Sequence, residues 1–256
     1  MTFADSALAR RIERAQTAQS LGCAPSGAAA VEIGGGCAVF DGVDSPLTQA
    51  VGLGMNGAVG ESELQELENF FRSRGARPAI EVCPLAEAGF LDKLGARGYR
   101  VRQFDNVLAR RLAGVEIVLT PRVRRATPHE SDLWAHTVGH GFFEQTELTT
   151  EEMDVGRQVF GMPGAMCYLA CAEGGRPAGG AAVAVTEGLA MLFADGVAPA
   201  FRRQGLHLEL IAARLNEALA QGCDMAAAAT APGSGSQRNY ERLGFQVVYT
   251  RVTLTK

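Results

Sequence analysis

Residues 201–222, FRRQGLHLELIAARLNEALAQG, place two arginines, a glutamine and a glycine directly before a strongly helical run. The first turn of a helix carries partial positive charge, so cations there are unfavourable unless an anion binds nearby. The N–H groups of that turn have no intrahelical partner, and a preceding glycine lets a ligand approach the main chain closely. The stretch therefore predicts a site for a pyrophosphate or a similar small anion.

The helix in this stretch is predicted to be held firmly. Leu208, Ile211, Leu215 and Leu219 fall along one stripe, which indicates packing on a sheet and a fixed N-terminus. Arg202 adds a permanently charged, fork-shaped donor at the same end. The loop is not a Walker loop, because GxxxxGK[ST] is absent, and no GxGxxG precedes a ribose-binding acid.

Composition narrows the class of protein. The 256 residues allow one large domain or two ordinary ones, and 47% of them are hydrophobic, enough for a sizeable core. A net charge of −4 without a large basic face argues against nucleic-acid binding. No apolar run reaches the ~20 residues needed to span a bilayer, and the N-terminus does not resemble a secretory signal. Six cysteines without a CxxC pair favour reduced, buried thiols, so we expect a cytoplasmic protein without a metal site or a membrane partner.

The two halves of the chain repeat one order of elements, which predicts an α/β protein. The first half reads as strand 47–55, helix 61–74, strand 78–82, helix 87–98 and strand 99–112; the second reads as strand 189–197, helix 206–221, strand 223–230, helix 236–244 and strand 245–255. Gly75 and Gly98 are 23 positions apart, and Gly222 and Gly244 are 22 apart. We predict a duplication with domains 1–114 and 115–256, two unrelated segments being the alternative.

The repeats differ where the anion site is expected. The long helix of the first half begins with Glu61 and Glu63, which complement the helix dipole as an ordinary helix start does. The first domain is therefore predicted to keep the architecture and to lack the anion site. Leu8, Ile12 and Ala15 share one face of a packing helix near the N-terminus.

Two motifs of the second half carry a resemblance to a known family. VAPAFRRQGLH (197–207) resembles the acetyl-CoA signature V-x-P-x-x-R/Q-x-x-G-x-G/A of the GCN5-related N-acetyltransferase (GNAT) family, with Val197, Pro199, Arg202 and Gly205 in register. SQRNYERLGF (236–245) resembles the later motif of that family. The arrangement is similar to tandem bacterial acetyltransferases with a degenerate first domain. His207 departs from the family's Gly or Ala: its ring would crowd the pyrophosphate, donate to it, or turn to solvent.

The resemblance implies two tandem acyl-CoA N-acyltransferase-like domains with a mixed sheet, of which only the second binds acetyl-CoA. The strand 189–197 is then interrupted near Gly196 and splays from its neighbour, so that the pantetheine arm bonds to the strand's main chain. Amides of residues 203–207 hold the pyrophosphate, and Asn239 contacts the pantetheine. The implied cofactor-binding residues are Gly196, Val197, Ala198, Arg202, Arg203, Gln204, Gly205, Leu206, His207 and Asn239.

The implied reaction is attack of a neutral amine on the acetyl carbonyl, which needs a base and an acid. Tyr240 holds the family's position for the acid that protonates the thiolate, or else it only packs. Asp195 and Glu144 are the candidates for the base, Glu147 being a further carboxylate of the same segment. Each of these has a plain alternative, a capped turn for Asp195 and surface charge for the glutamates.

The leading function is an N-acetyltransferase that moves an acetyl group from acetyl-CoA to an amine, most simply a small-molecule amine. One alternative is a non-catalytic acyl-CoA-binding module, and another is an αβ interaction protein whose arginines face solvent. The acceptor is not identified, because the residues that select it lie in variable loops. Oligomeric state is not predicted, and a homodimer stays open.

Overall fold

The computed structural model describes residues 5–24, 29–114, 117 and 120–256. Helices and strands are interspersed along these ranges, which confirms the predicted α/β class. In chain order they are α1 (Ser6–Cys23), β1 (Ala29–Ile33), β2 (Gly36–Phe40), β3 (Gln49–Val51), α2 (Glu61–Arg72), β4 (Ala79–Val82), α3 (Phe90–Ala96), β5 (Arg100–Arg111), β6 (Val123–Arg125), α4 (Ser131–Phe143), α5 (Thr150–Gly161), β7 (Met166–Cys171), β8 (Pro177–Thr186), β9 (Leu189–Val197), α6 (Leu206–Ala220), β10 (Met225–Thr230), α7 (Gly235–Arg242) and β11 (Gln246–Thr255). None of the helices within these ranges is long and apolar enough to cross a membrane.

The chain forms two compact units. The first contains the described residues up to Val107 together with Val247–Lys256, and the second is Leu108–Gln246. The division falls inside β5 and assigns β11 to the first unit. The predicted boundary between residues 114 and 115 concerns the sequence repeat rather than compactness in space, so it stays a prediction.

The first unit has a mixed sheet in the order β1-β2-β3-β4-β11. Strand β3 runs parallel to β4, whereas β11 runs antiparallel to β4 with Val252 opposite Val82. Helices α2 and α3 bury apolar side chains against this sheet, including Leu64, Leu67, Phe71, Phe90 and Leu94. The predicted helix and strands of this half are thus confirmed, with β3 shorter than expected.

A buried ionic cluster joins α1 to β11 within the first unit. Glu13 is 1% exposed and Arg251 is 3% exposed, and their side chains pair at 3.0 Å. Tyr249 donates to Glu13 at 2.7 Å, and Glu81 pairs with Arg251 at 2.7 Å. Burial raises the pKa of Glu81, although the charge of Arg251 opposes this shift. The cluster fixes α1 on the sheet by contacts that are costly to break once water is excluded.

The second unit orders its strands β10-β9-β8-β7-β6. Strands β9 and β10 are parallel, and α6 connects them. Ile211 and Leu215 lie in the buried stripe of α6 as predicted, whereas Leu208 and Leu219 are only partly buried. Pairing between β9 and β10 runs from Leu189 with Met225 to Leu192 with Ala228, although both strands continue beyond it. The predicted separation of the two strands is therefore confirmed.

The predicted interruption of β9 near Gly196 is confirmed. Gly180 pairs with Gly196 and Ala182 with Phe193, so β9 carries an extra residue at Ala194–Asp195. The residue with the positive φ, 54°, is Ala194 rather than the glycine. Gly196 is needed for another reason: a Cβ there would lie 2.4 Å from the carbonyl oxygen of Val138 on α4.

The six cysteines are thiols without disulfide bonds, and five of them are buried. Burial raises the pKa of Cys37 to about 12, so this thiol stays protonated and unreactive.

Removing the cation of the buried cluster is expected to destabilise the first unit strongly. Arg251→Ala leaves Glu13 and Glu81 buried without a counter-charge, which costs roughly 3–5 kcal/mol of unfolding free energy. Urea denaturation followed by circular dichroism measures this change. Arg157→Ala is the matched control, because Arg157 also pairs with carboxylates but at the surface, where the loss is below about 1 kcal/mol. Equal losses for the two variants would contradict this view of the cluster.

Candidate active site at the start of helix α6

A cleft of about 840 Å³ opens in the second unit at the N-terminus of α6. Its walls come from the end of α4, the end of β9, the loop before α6 and one face of α7. The lining residues are Gly141, Glu144, Asp195, Val197, Arg202, Arg203, Gly205, Leu206, His207, Leu208, Gly235, Ser236, Arg238, Asn239 and Arg242. Most of the residues predicted as a cofactor site therefore share one cleft.

The loop before α6 ends in an unusual backbone conformation. Gly205 is the N-cap residue with φ 83°, a left-handed conformation that favours glycine. Arg203 also has a positive φ of 64°. The amide of Glu209 donates to the carbonyl of Gly205 at 3.1 Å and closes the first helical turn, so the earlier amides have no intrahelical acceptor. These amides are available to an anion in the cleft.

Arg202 uses its guanidinium to hold the loop. Its Nε donates to the carbonyl of Val197 at 3.1 Å, and one Nη donates to the carbonyl of Gly141 at 3.0 Å. Its other Nη pairs with Glu144 at 2.6 Å. Arg202 thereby ties the end of β9 to the end of α4. Glu144, predicted as a base, is the exposed partner of this arginine.

A second arginine supports the loop from outside. Arg122 donates to the carbonyl of Gln204 at 3.0 Å and pairs with the carboxylate of Glu209. Thr120 donates to the same carboxylate at 2.5 Å. Glu209 lies in the first turn of α6, where a negative charge stabilises the helix. Gln204 contributes its main chain to this support while its side chain is exposed.

Arg203, unlike Arg202, does not hold the loop in place. It is exposed on the cleft and forms no hydrogen bond or ion pair with any residue that the structure describes. Arg238 and Arg242 on α7 add positive charge to the same rim, where they also donate to the carbonyl of Gly233 and to Asn239. The cleft therefore has a cationic rim beside unpaired helix amides.

Arg214 is fully buried beneath the cleft. Its Nε donates to the carbonyl of Leu210 at 3.0 Å, and Nη1 donates to the carbonyl of Ala182 at 3.1 Å. Its Nη2 pairs with the carboxylate of Asp195. A buried guanidinium is tolerated only when its charge and donors are satisfied, as they are here. The pair anchors the bulge of β9 to α6.

Asp195 is anionic, and Tyr240 keeps its proton. Burial alone would raise the pKa of Asp195, but the charge of Arg214 and the contacts with His207 and Tyr240 hold that pKa at about 2. The hydroxyl of Tyr240 donates to Asp195 at 2.6 Å, and its side chain is 0% exposed. Burial, with the charge of Asp195, raises the pKa of Tyr240 well above its usual value, although Arg214 opposes this. The role of Tyr240 as the acid that protonates the thiolate stays a prediction. In this structure its hydroxyl donates to Asp195.

His207 bridges β9 and α7. Its Nε2 lies 3.4 Å from Oδ1 of Asp195, and its Nδ1 lies 2.9 Å from the side-chain nitrogen of Asn239. The ring also meets Tyr240 edge to face at a centroid distance of 5.8 Å. Of the three outcomes expected for this histidine, the turn to solvent is wrong, because its side chain is only 15% exposed.

The residues predicted to bind the cofactor through their main chain lie beside the cleft, but they differ in whether their main-chain groups can reach a ligand. The amide of Ala198 already donates to the carbonyl of Ala178 at 2.9 Å within the sheet. Val197 lines the cleft, and Gly196 is buried against α4. Leu206 has its side chain in the core, so only its main chain faces a ligand. Binding of a pantetheine arm to these residues stays a prediction.

Sequence reasoning missed Arg214 and the arginines of α7. The signal for Arg214 was present: it follows Leu210 by four positions, so the two residues share the buried face of α6. A cation in an apolar stripe indicates a buried counter-charge, and Asp195 is that partner. Arg238 and Arg242 gave no signal, because arginine on a short polar helix is ordinary.

The low pKa of Asp195 predicts a specific pH dependence of stability. A folded-state pKa of about 2 against the ordinary 3.8 means that the carboxylate stabilises the fold above pH 4, and that this contribution is lost as the pH falls toward 2. Asp195→Asn lacks the contribution at every pH. The gap in unfolding free energy between wild type and this variant should narrow by about 1–2 kcal/mol between pH 5 and pH 2.5. Urea titrations at the two pH values measure this gap, and Asp132→Asn, at an exposed position, is the control. A gap that stays constant between pH 5 and pH 2.5 would contradict the low pKa of Asp195.

Comparisons with known proteins agree on one family. Residues 133–245 match the family model described as the acetyltransferase (GNAT) family. A GCN5-related N-acetyltransferase from Kribbella flavida is similar in structure, with a TM-score of 0.72, 21% identity, and coverage of 96% of this chain and 95% of that one. A tandem GNAT protein from the clavulanic acid biosynthesis pathway has a TM-score of 0.62 and 18% identity, covering 98% of this chain and 93% of its own. No curated protein sequence matches the chain.

These likenesses extend from the motifs to the whole architecture. The segment that matches the family model lies entirely within the second unit and ends before β11. The alignments with the two structural neighbours cover both units. The segment 133–245 thus belongs to the acetyltransferase (GNAT) family, and the chain has the fold of a tandem GNAT protein.

Proposed function

We propose that the second unit is an N-acetyltransferase that uses acetyl-CoA as acyl donor and a small-molecule amine as acceptor. The observation that carries this proposal is the cleft at the start of α6, where unpaired helix amides and the uncommitted Arg203 lie beside the separated ends of β9 and β10. Members of the family are acyltransferases, which supports the reaction class.

The residues present fit coenzyme A. Its diphosphate needs main-chain donors and cations, which the first turn of α6 and Arg203 provide. Its 3′-phosphate favours the further positive charge of Arg238 and Arg242 on the rim. The extended pantetheine arm suits the gap where β9 and β10 cease to pair after Leu192.

Glu144 is the residue that supports binding of an acceptor amine in the cleft. This carboxylate lines the cleft at the end of α4 and, beyond its pair with Arg202, is 63% exposed, so it keeps an accepting face toward an incoming amine. Phe142, the neighbouring exposed aromatic at 61%, offers an apolar surface for the rest of the acceptor. The second unit thus combines an anion-binding half and an amine-attracting half.

The first unit is proposed to be a scaffold. Its equivalent helix α2 begins with Glu61 and Glu63, and Glu63 accepts from the amides of Gly60 and Gly34 at 2.7 and 3.2 Å. The carboxylate therefore takes the place that an anionic ligand would occupy. This supports one cofactor site per chain.

Calorimetric titration with acetyl-CoA tests the donor site. Wild type should bind saturably with one site per chain. Arg203→Ala should weaken binding roughly 10–100-fold, because it removes a charge-assisted contact worth about 1.5–3 kcal/mol. Arg157→Ala, an exposed arginine outside the cleft, should bind as wild type does.

Thiol release with a panel of primary amines tests the reaction. The panel should include polyamines, aminoglycosides, amino acids and short peptides, and the proposal expects turnover that saturates with at least one small amine. Binding of acetyl-CoA without turnover on any amine would contradict the enzyme and indicate a binding module. Absence of binding would contradict the proposal altogether.

A further inference from the structure

His207 occupies a special place in the cleft. It is the second residue of α6, it lines the cleft, and its ring reaches both β9 and α7. We infer that His207 accepts the proton of the attacking amine, with Asp195 as the carboxylate that stabilises the resulting charge on the ring. The inference rests on the proposed acetyl transfer and names the residue at which the chain departs from the acetyl-CoA signature.

The hydrogen-bond pattern sets the tautomer of the ring. The side-chain oxygen of Asn239 accepts from Arg242 at 2.9 Å, which leaves its nitrogen toward Nδ1 of His207 at 2.9 Å. An amide nitrogen only donates, so Nδ1 carries the lone pair and Nε2 carries the hydrogen. Nε2 is buried and faces Asp195 at 3.4 Å, with no well-directed hydrogen bond among the described residues. The basic atom of the ring is therefore Nδ1.

The surroundings of the ring accommodate a positive charge. The N-terminus of α6 disfavours a cation, as do Arg203, Arg238 and Arg242 on the cleft rim. Asp195 opposes them from within ion-pair distance, and it is kept anionic by the buried Arg214. This carboxylate lies on the side of Nε2, so it stabilises an imidazolium without competing for Nδ1.

The other candidate bases are committed elsewhere. The two oxygens of Asp195 accept from Arg214 and from Tyr240. Glu144 pairs with Arg202 at 2.6 Å. Among the residues that the structure describes, Nδ1 of His207 is held only by the neutral amide of Asn239, a bond that an incoming amine N–H replaces without separating charges.

The nitrogen lone pair of the amine forms a bond to the thioester carbonyl carbon, and the proton on that nitrogen moves to Nδ1 of His207. The carbon–sulfur bond then breaks with its electron pair on sulfur. The imidazolium returns the proton to the thiolate through water, so the products are the N-acetyl amide and the free thiol of coenzyme A, with His207 neutral again.

The test uses the full chain and the amine of the panel that wild type acetylates fastest. His207→Gln should lower kcat/KM by roughly 100-fold or more, the usual contribution of a general base. Its Kd for acetyl-CoA, measured by calorimetry, separates any change in donor binding from the loss in kcat. His129→Gln, an exposed histidine outside the cleft, should keep the wild-type rate.

A rescue experiment separates proton transfer from mere positioning. His207→Ala should regain activity when imidazole or a substituted imidazole is added, and the regained rate should rise with the basicity of the azole. Asp195→Asn in the same background should weaken the rescue. Rescue that does not follow basicity, or a His207→Gln variant with more than a third of the wild-type kcat/KM, would overturn the inference and leave the proposed function intact. A wild type that binds acetyl-CoA but acetylates no amine would overturn both.

Discussion

The buried pair between Arg214 and Asp195 is the interaction on which the candidate site depends. Arg214 is fully buried and carries a permanent charge, so it needs an anion within contact. Asp195 reaches it because β9 bulges at Ala194 and turns that carboxylate beneath α6. The same carboxylate then receives Tyr240 from α7 and faces His207 from the first turn of α6. One ion pair thus positions three elements around the cleft.

The two arginines of the loop have different roles, although the sequence motif includes Arg202 alone. Arg202 is consumed by carbonyls and by Glu144, which shapes the loop and leaves the amides of α6 pointing into the cleft. Arg203 accepts a left-handed backbone conformation and stays uncommitted. The motif arginine Arg202 therefore holds the loop, and its neighbour Arg203 is the cation that we propose to bind the ligand.

The sequence predicted the architecture of the second unit well, because its signals are local. Gly205 and the apolar stripe predict that α6 starts at Leu206. The bounds of β9 are predicted by an apolar run that is followed by a loop. Strands β7 and β8 were not predicted, since the apolar run of β7 and the alanine- and glycine-rich run of β8 both lack the alternation that marks a half-buried strand. The interruption near Gly196 was predicted, but the positive φ falls on Ala194, and Gly196 serves the close packing of α4. Side-chain contacts between distant elements, such as His207 with Asn239, depend on tertiary geometry that no local pattern encodes.

A crystal structure of the protein with coenzyme A tests the central claim most directly. The account predicts the diphosphate against the amides of residues 203–207, with the guanidinium of Arg203 on a phosphate oxygen and the Arg214–Asp195 pair unchanged. Coenzyme A bound at α2 of the first unit, or bound in the cleft with its diphosphate away from the first turn of α6, would contradict it.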